Sequence, residues 1–150
     1  NVFDRPASWA TSYNGFMHGL PADFLAVVQP TVLACRTNSL FEVESLDGTA
    51  FAINQLYSLK ADKFFLLSRP EIFGDWDSAS YKDGTQLEYY NGLTATERIK
   101  RDAAGTARNA WLRSPYPSYA NYARVVHSSG EVDSSSAYNG YGVAPACIIA

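Results

Sequence analysis

"WLRSPYPSYANYARVVHSSG", residues 111–130, carries three Tyr, an Asn, two Arg and several Ser around one short apolar run. Its second half reads as the first strand of a hairpin, "YARVVH" (122–127), returning as "EVDSS" (131–135) through Ser128, Ser129 and Gly130. Strand alternation turns Val125 and Val132 inward and leaves Tyr122, Arg124 and Asp133 for the outer face or rim. Tyr, Ser, Asn and Gly are the residue types of a surface that recognises a partner without doing chemistry on it. The same types also make an ordinary loop-rich sheet edge. Residues 111–141 hold five of the ten Tyr and no Lys, which matches the Lys depletion of interfaces.

Outward from this hairpin, "YGVAPACIIA" (141–150) reads as an apolar, central last strand with a bend at Pro145. "KFFLLS" (63–68) is a continuous apolar run, the pattern of a strand covered on both faces. Phe65, Leu67, Cys147 and Ile149 are the expected core residues of these two strands. Trp111 is expected to be buried, and Arg113 to bond backbone carbonyls of neighbouring loops. Ser68, Pro70 and Glu71 form a capping box for a short helix that ends at Gly74. A second box, Thr94 to Glu97, opens a helix expected to run through Arg101. The stretch 74–92 between the boxes is long, polar and aromatic, which marks a functional loop or an insertion. Nearer the N-terminus, residues 8–18 have helical spacing with Ser8 as a cap. A second helix starts at Pro21, buries Phe24, Leu25 and Val28, and ends at Pro30. Strands follow at 31–38 and 40–45, with an Asp47-Gly48 turn.

The chain has 150 residues, enough for one domain over 1–150 with a sizeable core. A hydrophobic content of 47% against 18% charged residues makes it globular rather than disordered. The net charge of -3 and the scattered Lys and Arg argue against nucleic acid as a partner. No apolar run is long enough to insert into a membrane, and the N-terminus has no signal-peptide pattern. The absence of an initiator Met suits a processed product or the C-terminal part of something longer.

No Gly-x-Ser-x-Gly elbow, phosphate loop, dinucleotide fingerprint or His-Glu-x-x-His is present, so no enzyme class and no cofactor is indicated. His18 and His127 lack sequence-local ligand companions. Cys35 and Cys147 lie among aliphatic residues, which raise a thiol pKa, and read as buried free thiols ahead of a disulfide. Asp75, Asp77 and Asp83 fall at the first, third and ninth positions of a calcium-loop register. The Gly expected at its sixth position is absent and Gln86 stands at its twelfth, so a solvated loop is the better reading.

"WLRSP", then a Gly-turned hairpin, then "GVAPA" near the chain end, resembles the C-terminal half of a C-type-lectin-like family of phage and gut bacterial proteins. "KFFLLSRPEIFG" is similar to that family's strand-then-helix segment. The resemblance is close over 63–73 and 110–150 and loose over the rest of 20–150. Ala144 stands where the family usually has Arg, and the strand and helix that normally open the fold are not evident. The resemblance implies an α+β, C-type-lectin-like fold with a small mixed or antiparallel sheet, two or three short helices and long irregular loops. In some relatives the C-terminal segment is a hypervariable ligand-binding surface. The triplets of calcium-dependent sugar recognition are absent here, and so are the redox cysteines of formylglycine-generating relatives.

The resulting expectation is a receptor-recognition domain on a virion or cell surface, binding a protein or glycan of a host cell. Its candidate ligand-binding residues are Tyr116, Ser118, Tyr119, Asn121, Tyr122, Arg124, His127, Asp133, Ser135, Tyr138, Asn139 and Tyr141. The alternative is a structural capsid, decoration or tail domain whose same face packs against sister subunits, with a homo-oligomer as the outcome.

Overall fold

The computed structural model describes residues 16–31, 33, 63–77, 83–117, 119 and 121–150. Most of the expected helix at 8–18, most of the expected strand at 31–38, all of that at 40–45, Cys35 and Ser118 lie outside these residues. The architecture is mixed α+β, built of small antiparallel sheets and a few short helices.

The largest sheet has three strands in the order β5 (Ala110–Pro115), β6 (Tyr122–Val126), β7 (Val132–Ser136). Both pairings are antiparallel, with Val126 opposite Val132 and Tyr122 opposite Ser136. The hairpin expected from the sequence is therefore present. Its inward set differs, because directly opposed residues share a face. Val132 lies on the face of Val126, Arg124 and Tyr122, whereas Val125 lies on the other face with Asp133 and Ser135. Val125 and Val126 are both fully buried, so this end of β6 is covered on both sides.

On the first face sits the core cluster Ile72, Tyr90, Leu112 and Val126, flanked by Leu67, Phe73 and Leu93. Ile72 comes from α2 (Arg69–Phe73), whose signals all operate. The Ser68 hydroxyl accepts from the Glu71 N–H, the Glu71 carboxylate accepts from the Ser68 N–H, and Gly74 closes the helix at φ 76°. Buried Tyr90 keeps its hydroxyl satisfied through Lys100 Nζ at 2.8 Å. The second box also forms, but α3 spans Ala95–Arg98 and stops short of Arg101. Lys100–Arg101 instead becomes β3, paired with β4 (Ala107–Arg108). The Asp102 carboxylate holds the connecting turn by accepting the Ala104 and Thr106 N–H groups. This second hairpin was not anticipated, although Asp102 and Gly105 around two alanines are its turn signal.

The last segment is not a central strand. It divides into β8 (Pro145–Ala146), paired with β2 (Phe65–Leu66), and β9 (Ile148–Ile149), paired with β1 (Val28–Gln29). Phe65 is buried as expected and Leu67 and Cys147 are half-buried, but Ile149 is 60% exposed. Pro145 has no N–H to extend a ladder, and the segment pairs as two short pieces with Cys147 between them. Val28 also leaves the expected helix: α1 spans Ala22–Val27, and Val28 is buried as the first residue of β1.

Candidate functional site

Two buried polar structures tie α2 and its flanking loop to the three-stranded sheet. The first lies at the N-terminus of α2. Arg113 grips Glu71 with both guanidinium nitrogens at 2.5 Å, and the same fork donates to the carbonyls of Leu66 and Asp83. The carbonyl bonds match the sequence expectation; the carboxylate partner was missed. Ser114 Oγ accepts the Arg69 N–H at 2.8 Å and donates to the Asp83 carboxylate at 2.5 Å. Gly84 presses directly on this centre, since a Cβ there would come 2.7 Å from Ser68 Oγ. "WLRSP" and "LLSRPE" are thus two halves of one interlocked unit, joined across more than forty residues of sequence.

Burial pushes the Asp83 carboxyl above its ordinary range, against the opposing pull of the Ser114 hydroxyl and Arg113. A carboxyl raised on folding stabilises the fold fully below its unfolded pKa, roughly 4, and loses that contribution as pH rises through the folded value. Asp83→Asn cannot ionise. The variant is therefore expected to gain stability relative to the parent as pH rises from about 4 to about 7. Urea midpoints at the two pH values measure this; a relative loss over that interval would contradict it.

The second structure joins α2 to β6. The Asp77 carboxylate takes guanidinium groups from both Arg69 and Arg124, and Arg69 also holds Asp75 at 2.7 Å. Asp75 and Asp77, read as calcium candidates, are therefore partnered by arginines, and Asp83 is engaged by Ser114 and Arg113. Among the described residues no group of three metal-ligating side chains lies together. Beyond the ion pair, the Arg124 guanidinium lies over the Tyr116 ring at 4.6 Å. Tyr116 is stacked on Tyr119 at 5.8 Å and 9°, and Tyr122 closes the trio at 5.3 Å from Tyr119.

Tyr116 and Tyr119 are therefore stacked, and Tyr122 is tilted against both, at 51° to Tyr116 and 43° to Tyr119. The loop carrying the trio is closed by Tyr116 N–H to Tyr122 O and Tyr122 N–H to Tyr119 O. Tyr119 is 57% exposed. Tyr138, 85% exposed, lies at the same end of the sheet, because the Ala137 N–H bonds the Asn121 carbonyl at 2.8 Å. The two loops, 116–122 and 137–142, contain no charged residue.

The remaining candidates divide by position. Ser135, Asn139 and Tyr141 bond one another on the opposite face of the sheet, where Tyr141 also packs on Trp111 at 5.1 Å. Trp111 is half-buried under that ring, less covered than expected. Asp133 is exposed on this face, near the edge. His127 lies at the far end of β6 and bonds Ser129, where the hairpin turn meets α3. The open end therefore collects Tyr116, Tyr119, Asn121, Tyr122 and Tyr138, with Arg124 behind them. Asp77 is the residue of this cluster that the sequence reading assigned to a different role. A family profile described as "Domain of unknown function (DUF6273)" matches residues 11–150. The chain belongs to this family. The match takes in both halves of the interlocked unit and both loops of the open end. No curated protein and no solved structure matches the chain.

Proposed function

We propose that this chain is a non-enzymatic recognition domain of C-type-lectin-like fold, displayed on a virion or bacterial surface. It binds a host-cell-surface protein or glycan through the open end of its C-terminal hairpin. The observation that carries this reading is the pair of exposed tyrosines, Tyr119 and Tyr138, brought to one end of a sheet whose other end is packed against α3. Tyrosine offers a large, rigid contact area with little rotamer entropy to lose, and Asn121 beside it supplies adaptable hydrogen bonds. Exposed rings on a structurally fixed base are the arrangement of binding hot spots.

Because loops 116–122 and 137–142 are uncharged, binding is expected to depend little on ionic strength. The test is capture of the fluorescently labelled domain by a panel of intact bacteria, followed by flow cytometry at physiological and about 0.5 M salt. Capture by particular strains that persists in high salt supports the reading. Capture abolished by salt would mean that a charged surface elsewhere does the binding. A stable higher assembly in light scattering, with no capture, would favour the subunit-packing role instead.

A further inference from the structure

Resting on the recognition reading, we propose that Asp77 and Arg124 are positioning residues for the recognition surface, setting the orientation of Tyr119 without touching the ligand. The connection is continuous in space. Asp77 receives the Arg124 fork on both carboxylate oxygens, with Nε at 3.0 Å from Oδ2, while Arg69 holds the same carboxylate from α2. All three side chains are largely buried, between 11% and 13% exposed, so solvent screens the pairing little. The guanidinium fixed in this way lies over one side of Tyr116, and Tyr119 stacks nearly parallel on the same ring. Tyr116 is consequently the inner ring of the stack and Tyr119 the ring presented outward. The fork and its planarity matter as much as the charge. An ammonium group carries the charge but cannot make the paired bonds to both Asp77 oxygens while lying over the ring.

Two conservative variants of the full chain test this, Asp77→Asn and Arg124→Lys. The first readout needs no ligand: the Tyr119 ring resonances in NMR, which report its stacking on Tyr116. Both variants are expected to shift them although neither residue adjoins Tyr119 in sequence, and Arg124→Lys does so with the net charge kept. The second readout is capture by the strains that take up the parent domain, where both variants are expected to need at least about tenfold more protein. Unmoved Tyr119 resonances in a folded variant, or capture equal to the parent, would overturn the proposal. Should Asp77→Asn fail to fold, Arg124→Lys alone decides. The double variant Tyr119→Ala/Tyr138→Ala separates the two levels. If it binds as well as the parent, the recognition reading itself fails. If it loses binding while Asp77→Asn and Arg124→Lys keep theirs, only the positioning role is wrong.

Discussion

Arg113→Ala is expected to destabilise the fold by about 3–5 kcal/mol, a large share of the roughly 5–15 kcal/mol that holds an ordinary domain folded. The cost comes from what stays behind. Glu71 is 12% exposed, and without Arg113 its carboxylate is a buried charge with no cation on it. The carbonyls of Leu66 and Asp83 lose a donor at the same time. Arg113→Lys is expected to recover part of the loss, because an ammonium supplies charge but not the fork to both carboxylate oxygens. Replacing Arg113 and Glu71 together by apolar residues of similar shape is expected to cost less than Arg113→Ala alone, since no buried charge remains. Urea unfolding of the three variants measures these differences. A loss under about 1 kcal/mol for Arg113→Ala would show that the pair is solvated, as surface pairs are.

Gly130→Ala is expected to lose a comparable amount, on the order of 3–5 kcal/mol, by a different route. Gly130 has φ 86°, and a Cβ there would fall 1.7 Å from the Ala95 carbonyl oxygen. That oxygen belongs to the backbone of α3 and cannot swing aside as a flexible side chain does. The hairpin turn and α3 must separate, and the buried end of the sheet opens. Gly105 supplies the control. Its φ is 78°, but no atom lies within 4 Å of the added carbon, so Gly105→Ala is expected to cost only about 1–2 kcal/mol of backbone strain. Equal losses at the two positions would mean that the contact with α3 is not tight.

The local devices were legible because each is written in a few adjacent residues. The Ser68–Glu71 and Thr94–Glu97 boxes, the Gly74 stop and the 122–136 hairpin all satisfy backbone groups within a turn of chain. What was not legible depends on pairing register or on distant partners. Val125 and Val132 obey strand alternation individually, but a five-residue turn pairs Val132 with Val126 and puts it on the other face. The apolarity of Ile149 points to the core. Its strand pairs with one short strand and leaves the side chain exposed. Within the candidate surface, the tyrosines could be chosen by type but not sorted. Tyr141 and Tyr138 are three residues apart, yet one packs on Trp111 and the other faces solvent. Asp77 was legible as an acid in a loop; its pairing with Arg124 spans 47 residues and leaves no local pattern.

The central claim is that the open end of the hairpin makes the contact. Its most direct test is the titration of Tyr119→Ala/Tyr138→Ala against the bacterial strains that capture the parent domain. Each ring at a hot spot contributes about 2 kcal/mol or more, close to thirtyfold in affinity. The pair is therefore expected to raise the concentration for half-maximal capture by roughly a thousandfold, so that capture is lost where the parent just saturates. Exposed rings contribute little to stability, so the unfolding free energy from urea titration is expected to stay within about 1 kcal/mol of the parent. Loss of capture by a folded double variant is the predicted result. Undiminished capture by that folded variant would contradict the account and move the contact away from residues 116–142.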